Sequence, residues 1–512
     1  MMERPLYFEF PSNLTVKKFL NKLGKSQDFE IFNQQYTIKT FYDSFDWRLY
    51  GAGINCELRQ SKLCSELLLT NNKTGQLVAR VETEDVPQFY QQFTDITFAQ
   101  QLAPHLEMRA LLSVCSLPLE TYQVNILNKD QKTILRLRID EYELLNNRIE
   151  ICPLKGYEKA HKNIAHFLQE KIDLSAALYS TVLNEVLKQQ GKRPQDYCSK
   201  LVINLKPDMR ADKACKLIYK QLLQVIEINE VGTIANIDSE FLHDFRVAIR
   251  RTRAGLSQFK NTLTEEAVTT HASFFAWLGK ITGKTRDLDV YLLSYPQYKA
   301  LLPLTLQNDI APLYDFLVQK QTEAQKELAE QLSSYEYRRQ LVAWKEYLHE
   351  KLPSETLEAN AGLSIYQLAN IRIKKVYQMV LKEGALIDKD SPAEALHDLR
   401  KTCKKLRYLM EFFQSLYPEK EIKQLIKSLK GFQAILGDFQ DYEVQELSIK
   451  EFSTEMMQNH VPANTLLAMG VLVQYLDSMK CNAREQFSEQ FALFIEPQNR
   501  AMFKQLFSVK EA

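Results

Sequence analysis

One segment of this chain is written twice. His243-Asp244-Phe245-Arg246, running on to Arg253, returns 154 residues later as His397-Asp398-Leu399-Arg400, running on to Arg407. The histidine, the aspartate and the first and last arginines are identical, and Arg250 and Arg251 become Lys404 and Lys405 with charge kept. At the same offset Gly283, Asp287, Asp289 and Val290 fall on Gly437, Asp441, Glu443 and Val444, and Lys220 falls on Lys374. One match could be chance; several at one offset argue for duplication. The surrounding sequence is helical in period, with apolar residues at 3-4 spacing: Leu217, Leu222, Val225; Phe412, Phe413, Leu416; Leu425, Leu429, Phe432, Leu436. The expected unit is a bundle of roughly four helices, used twice and facing itself across a pseudo-two-fold axis.

Helix positions three, four or seven residues apart share a face. His243, Arg246, Arg250 and Arg253 are spaced 3, 4 and 3, and so are His397, Arg400, Lys404 and Arg407. Each repeat therefore carries one histidine and three cations in a stripe about 15 Å long, from a rise of 1.5 Å per residue. Such a stripe repels itself unless an anion or acidic residues from another helix neutralise it, and Asp287/Asp289 and Asp441/Glu443 are placed to do part of that. Asp244 and Asp398 lie off the stripe near the helix start, where a carboxylate suits the macrodipole. A basic helix face is more often a solvated surface, and a lone histidine more often a packing residue. A solvated face needs no fixed spacing, however, and here the whole pattern is repeated, histidine included. The stripes point to a long polyanion. They do not point to a catalytic pair, because adjacent His243 and Asp244 project about 100° apart on a helix.

A chain of 512 residues is too long for one core, so two or more domains are expected. Lys+Arg 65 against Asp+Glu 64 leaves a formal net charge of +1, so any polyanion site must be a local cluster. The eight cysteines form no C-x-x-C pair and no zinc-like spacing, which implies ordinary thiols in a reducing compartment, with no metal site and no cofactor. The N-terminus lacks a hydrophobic signal core, and no apolar run approaches the roughly 18 residues of a membrane span. A cytoplasmic protein without a membrane partner is expected.

Residues up to about 155 have a different grammar. Tyr36 to Tyr42, Leu67 to Thr70, Leu77 to Val81, Tyr122 to Leu127 and Ile134 to Asp140 are β-rich runs separated by turn residues such as Asn71-Asn72-Lys73-Thr74-Gly75. They suggest an antiparallel sheet, barrel-like, with flanking helices. A helical stretch at about 157–189 closes the region. The expected class is α+β in two domains: residues 1–190, a linker at 191–207, and an all-α duplicated four-helix bundle at 208–505 with repeats at about 208–350 and 360–505.

The H-D-x-R-x-x-x-R-R-x-R pattern at 243–253 and its copy at 397–407 closely resemble the CHAD domain, the conserved-histidine α-helical domain, over about 208–505. That resemblance implies a pair of helical bundles whose basic residues bind inorganic polyphosphate. Carried over position by position, it implicates His243, Arg246, Arg250, Arg251, Arg253, His397, Arg400, Lys404, Lys405 and Arg407, with Lys220 and Lys374 on preceding helices. Phe41-Tyr42-Asp43-Ser44-Phe45-Asp46-Trp47-Arg48-Leu49, followed by Gly51-Ala52-Gly53, resembles the Y-D-T-x-D-x-x-L-x-x-x-G segment of the CYTH domain, the triphosphate tunnel fold. Its E-x-E-x-K opening does not fit: Tyr7-Phe8-Glu9-Phe10-Pro11 keeps one carboxylate, and the late strand offers Arg148, Glu150 and Cys152. Divalent metal needs several hard oxygen ligands, so this domain reads as degenerate, with no catalytic residues and Arg59, Arg136, Arg138 and Lys155 as residual phosphate contacts. The reading is a polyphosphate-binding protein. Its alternatives are a metal-dependent triphosphatase acting on short phosphate chains, and binding of RNA or another polyanion. Nucleic acid is disfavoured because no aromatic platforms interleave with the stripes.

Overall fold

Alternation in Leu135-Arg136-Leu137-Arg138-Ile139-Asp140 sends every second side chain to the same face of a strand. In the computed structural model Leu135, Leu137 and Ile139 are buried under helices, and Arg138 and Asp140 turn to the opposite, concave face. The first unit is thus a sheet with its apolar face outward, covered by helices, and its polar face inward. The structure describes residues 5–62, 64–179, 181–199, 201–354 and 358–508. The chain divides at residues 198/199 into two units.

The first unit holds strands β1 (Leu6–Glu9), β2 (Phe29–Asp43), β3 (Ile54–Ser61), β4 (Ser65–Asn71), β5 (Leu77–Glu82), β6 (Leu112–Leu127), β7 (Thr133–Tyr142), β8 (Arg148–Cys152) and β9 (Ser175–Ala177). They form one sheet in the order β5-β4-β3-β2-β6-β7-β8-β1-β9, with antiparallel pairing throughout. The sheet curls until its ends approach: Tyr7 of β1 reaches the β4–β5 turn, where a side chain at Gly75 would collide with its ring. Helices α1 (Val16–Leu23), α2 (Arg48–Gly51), α3 (Ile96–Leu106), α4 (Glu158–Glu170) and α5 (Thr181–Gln189) complete the unit. The Tyr42-Asp43 segment builds a turn. The buried Asp43 carboxylate accepts from the backbone N–H groups of Ser44 at 2.7 Å, Leu49 at 2.9 Å and Tyr50 at 2.8 Å, which starts α2.

The helical stretch read at 157–189 is two helices, a correction. Asp173 has φ of 68°, which breaks the helix, and β9 then pairs with the free edge of β1. Residues 191–198 belong to the first unit: Trp47 Nε1 donates to Asp196 Oδ1 at 3.0 Å, and the Tyr197 ring packs 5.0 Å from Phe45.

Among the described residues the named elements of the second unit are helices: α6 (Ala211–Ile234), α7 (Ser239–Gln258), α8 (Glu265–Leu301), α9 (Ala311–Leu332), α10 (Tyr335–His349), α11 (Ile365–Ala385), α12 (Ala393–Phe413), α13 (Glu419–Gln458), α14 (Ala463–Glu485), α15 (Phe487–Phe494) and α16 (Pro497–Leu506). Three helix starts keep the 154-residue offset without slippage: Ala211 and Ile365, Ser239 and Ala393, Glu265 and Glu419. The two bundles meet through equivalent positions. Ala211 N donates to Leu363 O at 2.9 Å, and its counterpart Ile365 N donates to Met209 O at 2.8 Å. Phe259 and Phe413, also equivalent, have ring centroids 5.5 Å apart. Contacts exchanged in this way are those of an isologous interface, so a pseudo-two-fold axis passes between them. Phe259, Phe412 and Phe413 lie in one shared core, and full burial of each contributes about 1.5–3 kcal/mol. A fifth helical element follows the four of each repeat. α10 brings Tyr337 and Trp344 to the core, and α15 and α16 bring Phe487, Phe494 and Phe503.

Candidate functional site

Asp238 caps α7 by accepting from the N–H groups of Glu240 and Phe241, which fixes where the helix begins. From there the apolar face (Leu242, Phe245, Ala248, Ile249) goes to the core. His243, Arg246, Arg250 and Arg253 are left on the other side, half-buried at the first two positions and exposed at the last two. The same face of α12 carries His397, Arg400, Lys404 and Arg407, all half-buried. The two helices pack against each other, and their stripes meet. The Lys404 ammonium is held down to about 8 by burial first, then by Arg400 on its own helix and Arg250 on α7, with Arg407 adding to them and Asp441 opposing. Arg246 is likewise pushed down, to about 10, by burial and by Arg250, Arg286 and Arg253, with Asp287 opposing. It remains charged at neutral pH.

The repeated glycines form the floor under these arginines. Arg246 Nη1 donates to Gly279 O at 3.3 Å and Thr282 Oγ1 at 2.8 Å, and a Cβ at Gly283 would lie 3.8 Å from it. Arg400 Nη1 donates to Gly437 O at 3.3 Å and Gln440 Oε1 at 2.8 Å, and a Cβ at Gly437 would lie 3.6 Å from its guanidinium. Each guanidinium therefore rests on the backbone of the following helix, α8 or α13, within van der Waals reach of the glycine. Arg286 Nη2 donates to His243 Nδ1 at 3.1 Å. Arginine has no acceptor, so this Nδ1 carries no proton and the neutral ring is protonated at Nε2. His397 Nε2 stands 2.7 Å from Glu443 Oε2, without the angle of a good hydrogen bond.

In the first unit the inward charges are paired with one another. Lys39 Nζ donates to Asp140 Oδ2 at 2.8 Å and Tyr142 OH at 3.0 Å, and Arg138 Nε donates to Asp140 Oδ1 at 3.1 Å. Arg59 pairs with Glu57 and donates to Tyr179 OH at 3.0 Å. Arg148 pairs with Glu9 at 2.8 Å and Glu185 at 2.8 Å, and Tyr7 OH donates to Glu150 Oε1 at 3.0 Å. The remaining cavity is about 30 Å³, room for about one or two waters. The carboxylates that would hold a divalent metal are committed to cations or a phenol, so this donor set does not fit one. Of the four residual contacts read from sequence, Arg59 and Arg138 lie in this network. Arg136 opens onto a cleft lined by Arg138, Gln123, Asn125 and Phe32. Lys155 is exposed in a turn.

Residues 218–449, from α6 into α13, match the family model of the CHAD domain. This part of the chain is a CHAD domain. Among solved structures, the CHAD domain of the plant Ricinus communis is 23% identical over 60% of this chain and 96% of its own, with a TM-score of 0.45. PptA from Streptomyces chartreusis is 15% identical over 55% of this chain and 99% of its own, TM-score 0.44. A Hippeastrum protein described as an adenylyl cyclase with a dominant triphosphatase activity is 16% identical over 38% of this chain and 100% of its own, TM-score 0.28. No curated protein matches the sequence.

The CHAD domain brings together most of the residues that the repeat singled out, but not all. Arg251 turns to α12, where it pairs with Glu411 at 3.1 Å and ties the two helices. Its counterpart Lys405 is half-buried beside the stripe. Lys220 lines a different cleft, between α6 and α10, with Arg210, Lys213, Lys216 and Glu350, and Lys374 is exposed on α11. One cation escaped the sequence reading: Arg286, bound to His243 and to Ser239 O at 3.2 Å. Its counterpart in the second repeat is Gln440, so matching basic residues between repeats passes over it. Its position one helical turn from Gly283, beside Asp287, was the available signal.

Proposed function

We propose that the CHAD domain binds inorganic polyphosphate along a single groove formed by the stripes of α7 and α12. The observation that supports this reading is the packing of α7 on α12, tied by Arg251 and Glu411 at 3.1 Å, with Arg250 near enough to Lys404 to disfavour its charge. It brings equivalent cations of both repeats to one place, where like charges are costly without an anion. Arg246, Arg250, Arg253, Arg400 and Arg407 would take phosphate oxygens through charge-assisted hydrogen bonds, Lys404 would add a point charge, and each histidine would donate from Nε2. An extended, flexible chain of phosphates suits a stripe with several cations per side. The first unit contributes no triphosphate chemistry in this reading, because its inward cations already have carboxylate partners. No helix among the described residues is long and apolar enough to cross a membrane. The test is a titration with polyphosphates of graded length, followed by competition with single-stranded RNA. Polyphosphate should bind and resist displacement by RNA at equal phosphate concentration. Preferential binding of RNA would replace this reading with a nucleic-acid one.

A further inference from the structure

The two halves of the groove differ in how their cations are neutralised. Arg246 rests on neutral acceptors, and among the described residues no carboxylate lies within ion-pair distance of it. Its counterpart Arg400 has Asp441 Oδ1 at 3.1 Å, and His397 has Glu443 Oε2 at 2.7 Å. The equivalent acids of the first repeat are engaged differently. Asp289 accepts from Gln321 Nε2 at 3.0 Å, and Asp287 feels Arg246 and Arg286 without forming an ion pair. The first half also has a cation, Arg286, where the second has Gln440.

We propose that Asp441 and Glu443 are built-in counter-anions that a phosphate chain must displace, so that a chain seats first on Arg246, Arg250, Arg253 and Arg286 and then extends onto Arg400, Lys404 and Arg407. This rests on the groove being a polyphosphate site, and adds to it an order of occupation and a selectivity against short anions. A short phosphate arriving at the second half must offset the loss of both carboxylate contacts with few contacts of its own. A chain already held on the first half makes its second contact intramolecularly, at a high effective concentration, and so displaces the carboxylates at little cost. The discrimination falls on Asp441 and Glu443 because they touch the cations that the chain would use. Asp441 is also largely exposed, so replacing it perturbs no core.

The experiment compares the full chain with Asp441→Asn/Glu443→Gln and with Asp287→Asn, measuring affinity for tripolyphosphate and for a long polyphosphate. Partly exposed contacts of this kind are weak, so losing both should raise tripolyphosphate affinity about three- to tenfold, with a smaller gain for the long chain and a smaller gain in Asp287→Asn. Equal gains for short and long chains, an equal gain in Asp287→Asn, or no gain at all would overturn the counter-anion role while leaving the groove in place. Failure of the unaltered chain to bind either phosphate would overturn the groove itself, and this proposal with it.

Discussion

Arg250 and Lys404 occupy the same position in the two repeats, and they stand close enough that the guanidinium helps depress the ammonium's pKa to about 8. Such a pair of equivalents can face each other only near the pseudo-two-fold axis. In the proposed reading the two surface stripes form one basic groove at that axis, and the axis itself follows from the reciprocal hydrogen bonds of Ala211 and Ile365.

Charge reversal in one repeat tests whether the stripe binds. Hydrogen bonds to charged groups are worth about 1.5–3 kcal/mol each, and about 1.4 kcal/mol is tenfold in affinity. Arg246→Glu with Arg250→Glu should therefore weaken polyphosphate binding at least tenfold, by titration calorimetry or fluorescence. Unchanged affinity would place the site elsewhere.

Binding should weaken steeply as salt is raised, because association releases counterions condensed on the polyanion. A titration repeated at low and high ionic strength checks this. Affinity that stays constant would contradict a phosphate-dominated contact.

Lys404 gives the groove a pH dependence with a definite sign. Its ammonium sits at about 8 instead of the ordinary 10.5, and a bound polyanion favours the charged form. Affinity should hold below pH 8 and fall above it as binding comes to require proton uptake. Lys404→Arg, which stays charged, should remove the fall. The same group affects stability. The unfolded chain binds the extra proton between about 8 and 10.5, so the destabilisation is complete below 8 and fades as pH rises to the unfolded value. At neutral pH a polyphosphate should offset that strain and raise Tm.

How much of this was legible in the sequence differs between the two units. In the helical unit the offset of 154 residues was legible, with the duplicated four-residue stripes, because identity at a fixed spacing survives where propensity is weak; the helix starts that keep the same offset came only with the structure. Arg286 was not legible, because it departs from the repeat. Nor was the inward turn of Arg251 to Glu411, since neighbouring arginines on one helix look alike until the packing partner is known. In the first unit β2, β4, β5, β6 and β7 stood out through their β-branched and aromatic runs. Ile54–Ser61 did not: its covered face is only Ile54, Cys56 and Leu58, and Glu57 and Arg59 between and beyond them turn to the polar interior, so the run reads as mostly polar.

The ionic pairing inside the first unit predicts its inactivity. The 512-residue chain incubated with tripolyphosphate and Mg²⁺ or Mn²⁺ should release no appreciable phosphate, since Glu9 is held by Arg148 and Glu150 by Tyr7. Robust turnover that disappears in Glu9→Ala would show that these carboxylates can leave their partners and serve a metal.

The most direct test of the account is the stoichiometry and length dependence of polyphosphate binding in three proteins: the unaltered chain, Arg246→Glu/Arg250→Glu, and Arg400→Glu/Arg407→Glu. One groove shared by α7 and α12 predicts one long chain per protein, affinity that climbs with chain length until both stripes are engaged, and loss of that climb in either variant. Two chains bound per protein, with each variant losing one and keeping the other at full affinity, would contradict it.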